Sequence, residues 1–314
     1  MNILHLDSNH HILIDGLNAL GYENHENYSD DKDKIESIIH QFDGIVLRSR
    51  FKLDEAFLDK GKNLKFIARV GAGLENIAVD YAKNKGIHLI AAPEGNCNAV
   101  AEHALGMLLN ITNKLNFTFN QVKNGIWLRE ENRGIELEGK TIGIIGYGHT
   151  GKAFAKKLKG FDVKVIFHDI LPNLNDEHAQ QVSLDDLKKQ ADVISLHVPQ
   201  TTETIYMIND DFIKGCSKSF ILINTARGKC IKTKDLINHI ENGKLLGVAL
   251  DVLEYEKTSF ENMDINETFS KLIEFPNVII TPHIAGWSHE SKIKLAQIIL
   301  DKIKKNLLLK NIKT

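Results

Sequence analysis

Short apolar runs alternate along the chain with stretches whose apolar positions fall at helical spacing. Asn2 to Asp7, Gly44-Ile-Val-Leu-Arg-Ser-Arg50, Leu64 to Arg69 and Ile87 to Ala91 read as strands. Between them, Ile12 to Leu20, closed by Gly21, and Ile35 to Phe42 read as helices. The acidic run Ser29-Asp-Asp-Lys-Asp33 fits a solvated helix start. Alternation of this kind predicts a parallel sheet with helices on both faces. From Ala99 to Ile111 small and apolar residues cover nearly the whole helical circumference, which predicts burial on several sides, by the helix's own core and by a partner. Strand–helix alternation then resumes, with strands expected at Thr141 to Ile145, Val163 to Asp169, Val193 to Val198, Phe220 to Asn224, Leu246 to Asp251 and Val278 to Thr281. A last helix, Glu290 to Leu309, carries Ile293, Ala296, Ile299, Leu300 and Ile303 on one side and needs a sheet to cover. A chain of 314 residues implies two domains. No Pro/Gly linker separates them, so they are expected to interlock through crossing helices.

The centre of the pattern is Thr141-Ile-Gly-Ile-Ile-Gly-Tyr-Gly-His-Thr-Gly151. A buried strand meets Gly146, Gly148 and Gly151, and a helix with Ala153, Phe154 and Leu158 on one face follows. In a dinucleotide site the first glycine permits the tight turn, the second lets the backbone approach a pyrophosphate, and the third lets helix and strand pack closely. The helix start offers unpaired N–H groups and partial positive charge to the phosphates. A second strand ends in Asp169, about 20 residues on, where a carboxylate accepts hydrogen bonds from ribose hydroxyls. This combination predicts an NAD site. Asp169 would repel a 2′-phosphate, and the Ile170-Leu-Pro that follows supplies no arginine to hold one, so NAD is expected rather than NADP.

Composition narrows the partners. Hydrophobic residues make up 43% and charged ones 25%, with a net charge of −2, so bulk electrostatics invite neither nucleic acid nor an acidic membrane. No apolar run approaches the ~18 residues of a membrane span, and the strand-like Met1-Asn-Ile-Leu-His5 is no signal peptide. Cys97, Cys216 and Cys230 form no CxxC, which suits reduced thiols in a cytoplasm, and no metal is expected.

Polar residues gather where strands end. Arg48, Ser49 and Arg50 follow one strand, and Arg69 to Gly73, including Ala72, follow another; both are candidate anion-holding loops. In the second half, Arg227 ends a strand and its planar guanidinium can hold a carboxylate by two parallel hydrogen bonds. Ala249-Leu-Asp-Val-Leu-Glu-Tyr-Glu256 offers three acids, and Thr281-Pro-His-Ile-Ala-Gly286 places His283 in a loop stiffened by Pro282. Alcohol–carbonyl redox chemistry needs a base titrating near neutrality and an acid to orient it. His283 is one of 14 histidines, and a purely structural role is the alternative reading of its spacing.

Taken together, Arg48-Ser-Arg50, Arg69-Val-Gly-Ala-Gly73, Glu94-Gly-Asn96, Val100-Ala-Glu-His103, Gly146 to Gly151, His197-Val-Pro199, Asn224-Thr-Ala-Arg-Gly228, Ala249-Leu-Asp-Val252 and Thr281 to Gly286 resemble the D-isomer-specific 2-hydroxyacid dehydrogenases over essentially the whole chain. The resemblance implies an α/β fold of two doubly wound parallel-sheet domains. One is a flavodoxin-like substrate domain from residues 1–97 and 286–314, the other a Rossmann NAD-binding domain from 98–285, with the site in the cleft. It implies Arg227 as carboxylate clamp, His283 as acid/base and Glu256 as the acid pairing with it. The family usually has proline after that glutamate, where this chain has Lys257; Glu254 is a conceivable substitute, but the spacing from Asp-Val favours Glu256. Cofactor contacts are implied at Tyr147, His149 and Thr150 beside the three glycines and Asp169, at His197, Val198, Pro199 and Thr204, and at Thr225, Ala226, Asp251, His283 and Gly286. Substrate contacts are implied at Arg48, Ser49, Arg50, Arg69, Ala72, Gly73, Asn96 and Arg227. Arg48, Arg50, Arg69, Arg129 and Arg133 exceed what a lactate-sized substrate needs, and the first loops resemble those of D-3-phosphoglycerate dehydrogenases. Phosphoglycerate oxidation, the entry to serine synthesis, is therefore the first expectation. A glyoxylate/hydroxypyruvate reductase or another D-2-hydroxyacid dehydrogenase is the alternative, and an NAD-sensing corepressor-like binding protein a remote one. The C-terminal regulatory domain of longer phosphoglycerate dehydrogenases is not expected. A homodimer is expected through the Rossmann domains, with the helix from Ala99 to Ile111 at its centre and the segment to Trp127 crossing to the partner.

Overall fold

The structure is a computed structural model that describes residues 1–256 and 263–311. Two compact units emerge, one from Met1–Asn96 with the segment from Trp287 onward, the other from Cys97–Glu256 with the segment ending at Gly286.

In the first unit, β1 (Asn2–His5), β2 (Glu23–Glu26), β3 (Gly44–Leu47), β4 (Phe66–Arg69) and β5 (His88–Ala91) form one sheet. Their spatial order is β2-β1-β3-β4-β5 with every pairing parallel. This is the flavodoxin-like order, and its reversal point lies between β1 and β3, where ligands of such sheets gather. Strand β3 is buried throughout, as a strand covered on both faces must be. The C-terminal helix His289–Asn311 returns to this sheet, burying Ala296, Ile299, Leu300 and Ile303 against Ile3, Val46, Phe66 and Ile90. The helical stripe in the sequence thus finds the sheet it needed, except for Ile293 in its first turns, which stays 42% exposed.

In the second unit, β6 (Thr141–Ile145), β7 (Lys164–His168), β8 (Gln180–Gln181), β9 (Val193–Leu196), β10 (Phe220–Asn224), β11 (Leu245–Leu250) and β12 (Val278–Ile280) form a second all-parallel sheet. Its order, β12-β11-β10-β9-β6-β7-β8, is the Rossmann order extended by one strand, with the switch point between β6 and β9. Cores lie on both faces, one around Leu222, Ile194 and Val248, the other around Ile142, Phe154 and Met107. The helix Cys97–Thr112 covers the second face through Ala101, Ala104, Met107 and Leu108. Among the described residues, no helix is long and apolar enough to cross a membrane.

Two strands carry no apolar signal in the sequence. Glu23-Asn-His-Glu26 and Gln180-Gln181 are edge strands, so neighbouring backbone rather than a hydrophobic face holds them.

Candidate active site

Backbone geometry gives the glycine-rich turn its chemistry. Gly146 sits at φ +91°, and a Cβ there would fall 2.6 Å from the His197 carbonyl oxygen. A Cβ on Gly151 would fall 2.2 Å from the Gly146 carbonyl oxygen, so any side chain would push the helix His149–Lys157 off β6. Gly148 faces open space: a Cβ there meets nothing within 4 Å. It is the residue that precedes the helix, and His149 beside it is exposed. The first and third glycines are therefore required by packing, while the second keeps the helix start accessible to a pyrophosphate.

Asp169 follows β7 and is held in place. Its carboxylate accepts from the Tyr147 N–H (2.7 Å) and the Leu171 N–H (2.9 Å). The Tyr147 side chain turns inward, 1% exposed, stacks on Phe167 at 3.7 Å between ring centroids, and donates its hydroxyl to Asp176 Oδ1 at 2.8 Å. Burial, and after it the hydrogen bond to Asp176, push the Tyr147 hydroxyl pKa up, so it remains a proton donor.

Past β9, His197 is buried and Ser195 Oγ lies 2.9 Å from its Nε2. Burial pulls its pKa down to about 3, so the ring is neutral. Val198 and Pro199 lead into a turn closed by Thr204, whose hydroxyl donates to the Pro199 carbonyl at 2.7 Å. After β10, Ala226 N–H donates to Asn224 Oδ1 (3.0 Å), and Asn224 Nδ2 donates to the Arg227 carbonyl (2.9 Å), which shapes the Arg227 turn. The Arg227 guanidinium donates back to the Ala226 carbonyl at 2.7 Å. The Thr225 hydroxyl and His197 Nδ1 are buried without a protein hydrogen-bond partner, which fits polar groups facing a bound polar molecule.

The histidine loop hangs on Asp251, 2% exposed at the end of β11. Its carboxylate accepts from the Thr281 hydroxyl (2.6 Å), Ile284 N–H (2.8 Å) and Ala285 N–H (2.8 Å). Thr281 also lies 3.0 Å from His103 Nε2 on the helix Cys97–Thr112, a contact whose partners the sequence pattern does not reveal. His283 takes the left-handed conformation, φ +56°, and its N–H donates to the Asp251 carbonyl at 2.8 Å. Its Nδ1 lies 2.6 Å from Glu256 Oε2, while Glu256 Oε1 accepts from the Leu253 N–H at 2.6 Å. Glu254 is used elsewhere: it accepts from Thr233 N–H at 2.7 Å, at the start of the helix Thr233–Glu241. Of the two glutamates, Glu256 is the one brought to His283. Lys257 lies outside the described residues.

The arginines divide less evenly. Arg50 spends its guanidinium on the backbone carbonyls of Leu6 (3.1 Å), Asn27 (2.6 Å) and Asp30. Arg133 pairs in exposed fashion with Glu130. Arg48 lies over the Trp287 ring, 4.1 Å from its centroid, and Arg69 Nε donates to the Arg48 carbonyl at 3.1 Å. Ser49, Ala72 and Gly73 are half-buried in the same unit, as is Asn96, whose Oδ1 is buried without a partner.

The strand order and the glycine turn at the switch point define a dinucleotide-binding α/β protein of the Rossmann class. The profile "D-isomer specific 2-hydroxyacid dehydrogenase, NAD binding domain" matches residues 105–285. A hydroxypyruvate reductase of Thermotoga maritima is 37% identical over 277 residues, covering 88% of this chain and 89% of that one. A D-3-phosphoglycerate dehydrogenase of Archaeoglobus fulgidus is 36% identical over 270 residues, covering 84% of this chain but only 49% of its own length. Among solved structures, D-lactate dehydrogenase from Aquifex aeolicus, complexed with NAD and lactic acid, superposes with a TM-score of 0.84 at 30% identity, covering 100% of this chain and 98% of that one. The chain belongs to the D-isomer specific 2-hydroxyacid dehydrogenases, and its cofactor is NAD.

Two outcomes follow from the geometry. Replacing Arg50 by Met removes donors from three carbonyls and should lower unfolding free energy by ~1–3 kcal/mol in urea titration, with substrate KM unchanged. A raised KM at unchanged stability would instead return Arg50 to the substrate. His197 is neutral when folded down to about pH 3 but takes up a proton near 6.5 when unfolded. Its contribution is therefore complete above pH 6.5 and is lost at up to ~1.4 kcal/mol per pH unit as pH falls toward 3. His197→Asn should flatten that part of the stability–pH curve.

Proposed function

We propose that this chain interconverts a D-2-hydroxy acid and its 2-oxo acid with His283 as acid/base, Glu256 as its orienting carboxylate and Arg227 as the clamp on the substrate carboxylate. The observation that supports this reading is the 2.6 Å contact between His283 Nδ1 and Glu256. With Nδ1 committed to the carboxylate, Nε2 is the nitrogen that exchanges a proton with the substrate oxygen. In oxidation Nε2 takes the hydroxyl proton; in reduction it returns the proton to the carbonyl oxygen. Bound NAD supplies the hydride acceptor at C4 of its nicotinamide, and NADH the donor. Arg227 matches a carboxylate by two parallel hydrogen bonds, which orients C2.

As substrate we propose D-3-phosphoglycerate, giving 3-phosphohydroxypyruvate. Arg48 and Arg69 support this: they end paired strands of one sheet, in the register Leu47↔Arg69, and together suit a phosphate dianion. A second reading, hydroxypyruvate or glyoxylate reduction, draws on the commitment of Arg50 to backbone carbonyls and on the similarity to the Thermotoga maritima reductase. Steady-state kcat/KM for 3-phosphohydroxypyruvate, hydroxypyruvate, glyoxylate and pyruvate, each with NADH and NADPH, separates the two. Preference for the unphosphorylated acids would overturn the first, and equal use of both cofactors would overturn the assignment of Asp169 as the residue that rejects a 2′-phosphate.

His283→Gln should lower kcat by ~10²–10⁴ with NADH affinity nearly unchanged. Arg227→Lys should raise KM as well as lower kcat, because the ammonium lacks the planar fork. A near-normal kcat in His283→Gln would send the acid/base role to another histidine.

We also propose a homodimer built on this unit. The helix Cys97–Thr112 turns much of its apolar surface into its own core, so the support comes from the segment after it. The helix Leu115–Lys123 buries no residue, and Phe119 (65%) and Trp127 (77%) are exposed. A second copy covering this apolar strip would bury it. Sedimentation at micromolar concentration should give a dimer, and Phe119→Asp should shift it to monomer.

A further inference from the structure

Asp169 is the residue expected to meet the adenosine ribose, yet the loop after it is the least supported part of the second sheet's edge. Ile170 and Leu171 are exposed, and β8 contributes only two residues to the ladder. Polar side chains inside the loop take over the support. Gln181 Nε2 donates to the Leu171 carbonyl (2.7 Å), its Oε1 accepts from Leu174 N–H (3.1 Å), and Asn175 Oδ1 accepts from Gln181 N–H (2.6 Å). Asp176 gathers the far turn, its Oδ1 accepting from His178 N–H (2.9 Å) and Ala179 N–H (3.2 Å).

One residue ties both ends of this loop to the glycine turn. The Tyr147 backbone N–H donates to Asp169 Oδ2 (2.7 Å), where the loop begins, and the Tyr147 hydroxyl donates to Asp176 Oδ1 (2.8 Å), where it turns back. The ring between these bonds is 1% exposed and stacked on Phe167 with planes 11° apart, so the hydroxyl has one direction in which to donate. We propose that Tyr147 is a positioning residue for the adenosine half of NAD, acting through the Asp176 loop to hold the Asp169 carboxylate at the helix start. The proposal rests on the NAD assignment and adds to it a side chain that is buried against Phe167. The residue between the first two glycines contributes here by its hydroxyl as well as by its backbone.

The experiment compares Tyr147→Phe, Asp176→Ala and Asp176→Asn with the unaltered enzyme. Dissociation constants are measured directly for NADH by fluorescence titration and for ADP-ribose by competition. ADP-ribose carries the adenosine end without the nicotinamide, so it reports on the braced half alone. Tyr147→Phe and Asp176→Ala should each weaken ADP-ribose and NADH by about tenfold, the equivalent of one lost buried hydrogen bond. Asp176→Asn retains the accepting Oδ1 and should stay within about twofold of the unaltered enzyme. At saturating NADH, kcat and the KM for the 2-oxo acid should not move. The proposal is overturned if Tyr147→Phe binds ADP-ribose as tightly as the unaltered enzyme. It is also overturned if Asp176→Asn falls as far as Asp176→Ala, or if kcat drops in parallel with affinity, which is the mark of a general loss of structure.

Discussion

A buried carboxylate must find donors, and the candidate active site is arranged around that need. Asp251 is almost sealed from solvent, and three donors meet it, all from the 281–285 loop. Hydrogen bonds to a charged group are worth ~1.5–3 kcal/mol each, whereas one non-glycine residue in the left-handed region costs ~1–2 kcal/mol. The donors therefore outweigh the strain, and His283 can be held at φ +56°. In that conformation its N–H reaches the Asp251 carbonyl while its ring reaches Glu256. One interior acid thus fixes the backbone of the His283 loop, and that backbone brings the His283 Nδ1 to Glu256. The carboxylate has about four lone-pair positions, so three are committed before any cofactor group is considered.

Steric constraint does at the switch point of the same sheet what hydrogen bonding does here. Close approach of β6, the His197 backbone and the helix His149–Lys157 leaves no room for a Cβ at Gly146 or Gly151. Packing of the switch point therefore presents the helix start at Gly148, with no side chain in the way. Neutral His197, confined by burial, belongs to this packing and keeps positive charge out of the turn's floor.

Legibility in the sequence followed the source of each constraint. Thr141–Ile145 and Phe220–Asn224 are interior strands buried at every position, and their apolar runs mark their bounds to the residue. The edge strands Glu23–Glu26 and Gln180–Gln181 bury no face and leave no apolar trace. The glycine turn was legible because three different backbone demands coincide at fixed spacing. Spacing from Asp251-Val favoured Glu256 over Glu254, and the side chains do diverge that way from one short turn: Glu254 reaches Thr233 and Glu256 reaches His283. His103 on Thr281 and Tyr147 on Asp176 join segments far apart in the chain, a kind of contact with no periodicity to announce it.

Arg50 shows that an arginine beyond a strand end can be committed to its own backbone, and the reason is general. A guanidinium carries five N–H donors in a rigid fork, which suits a phosphate but equally suits several backbone carbonyls left over at strand ends. Loops beyond parallel strands expose such carbonyls, so an arginine there is drawn to its own fold before it is offered to a ligand. Arg50 is drawn in this way, reaching Leu6 just after β1 and both ends of the Asn27–Asp30 turn. Arg69 gives its Nε to the Arg48 carbonyl, so part of its fork too is spent on the fold. Arg48 is treated differently again: it rests on the indole of Trp287, a surface that orients a cation. The strand-end arginines of this unit are thus held in different ways, Arg50 by backbone carbonyls, Arg69 by the Arg48 carbonyl and Arg48 against an indole, so the same residue type at the same kind of position does three different structural jobs.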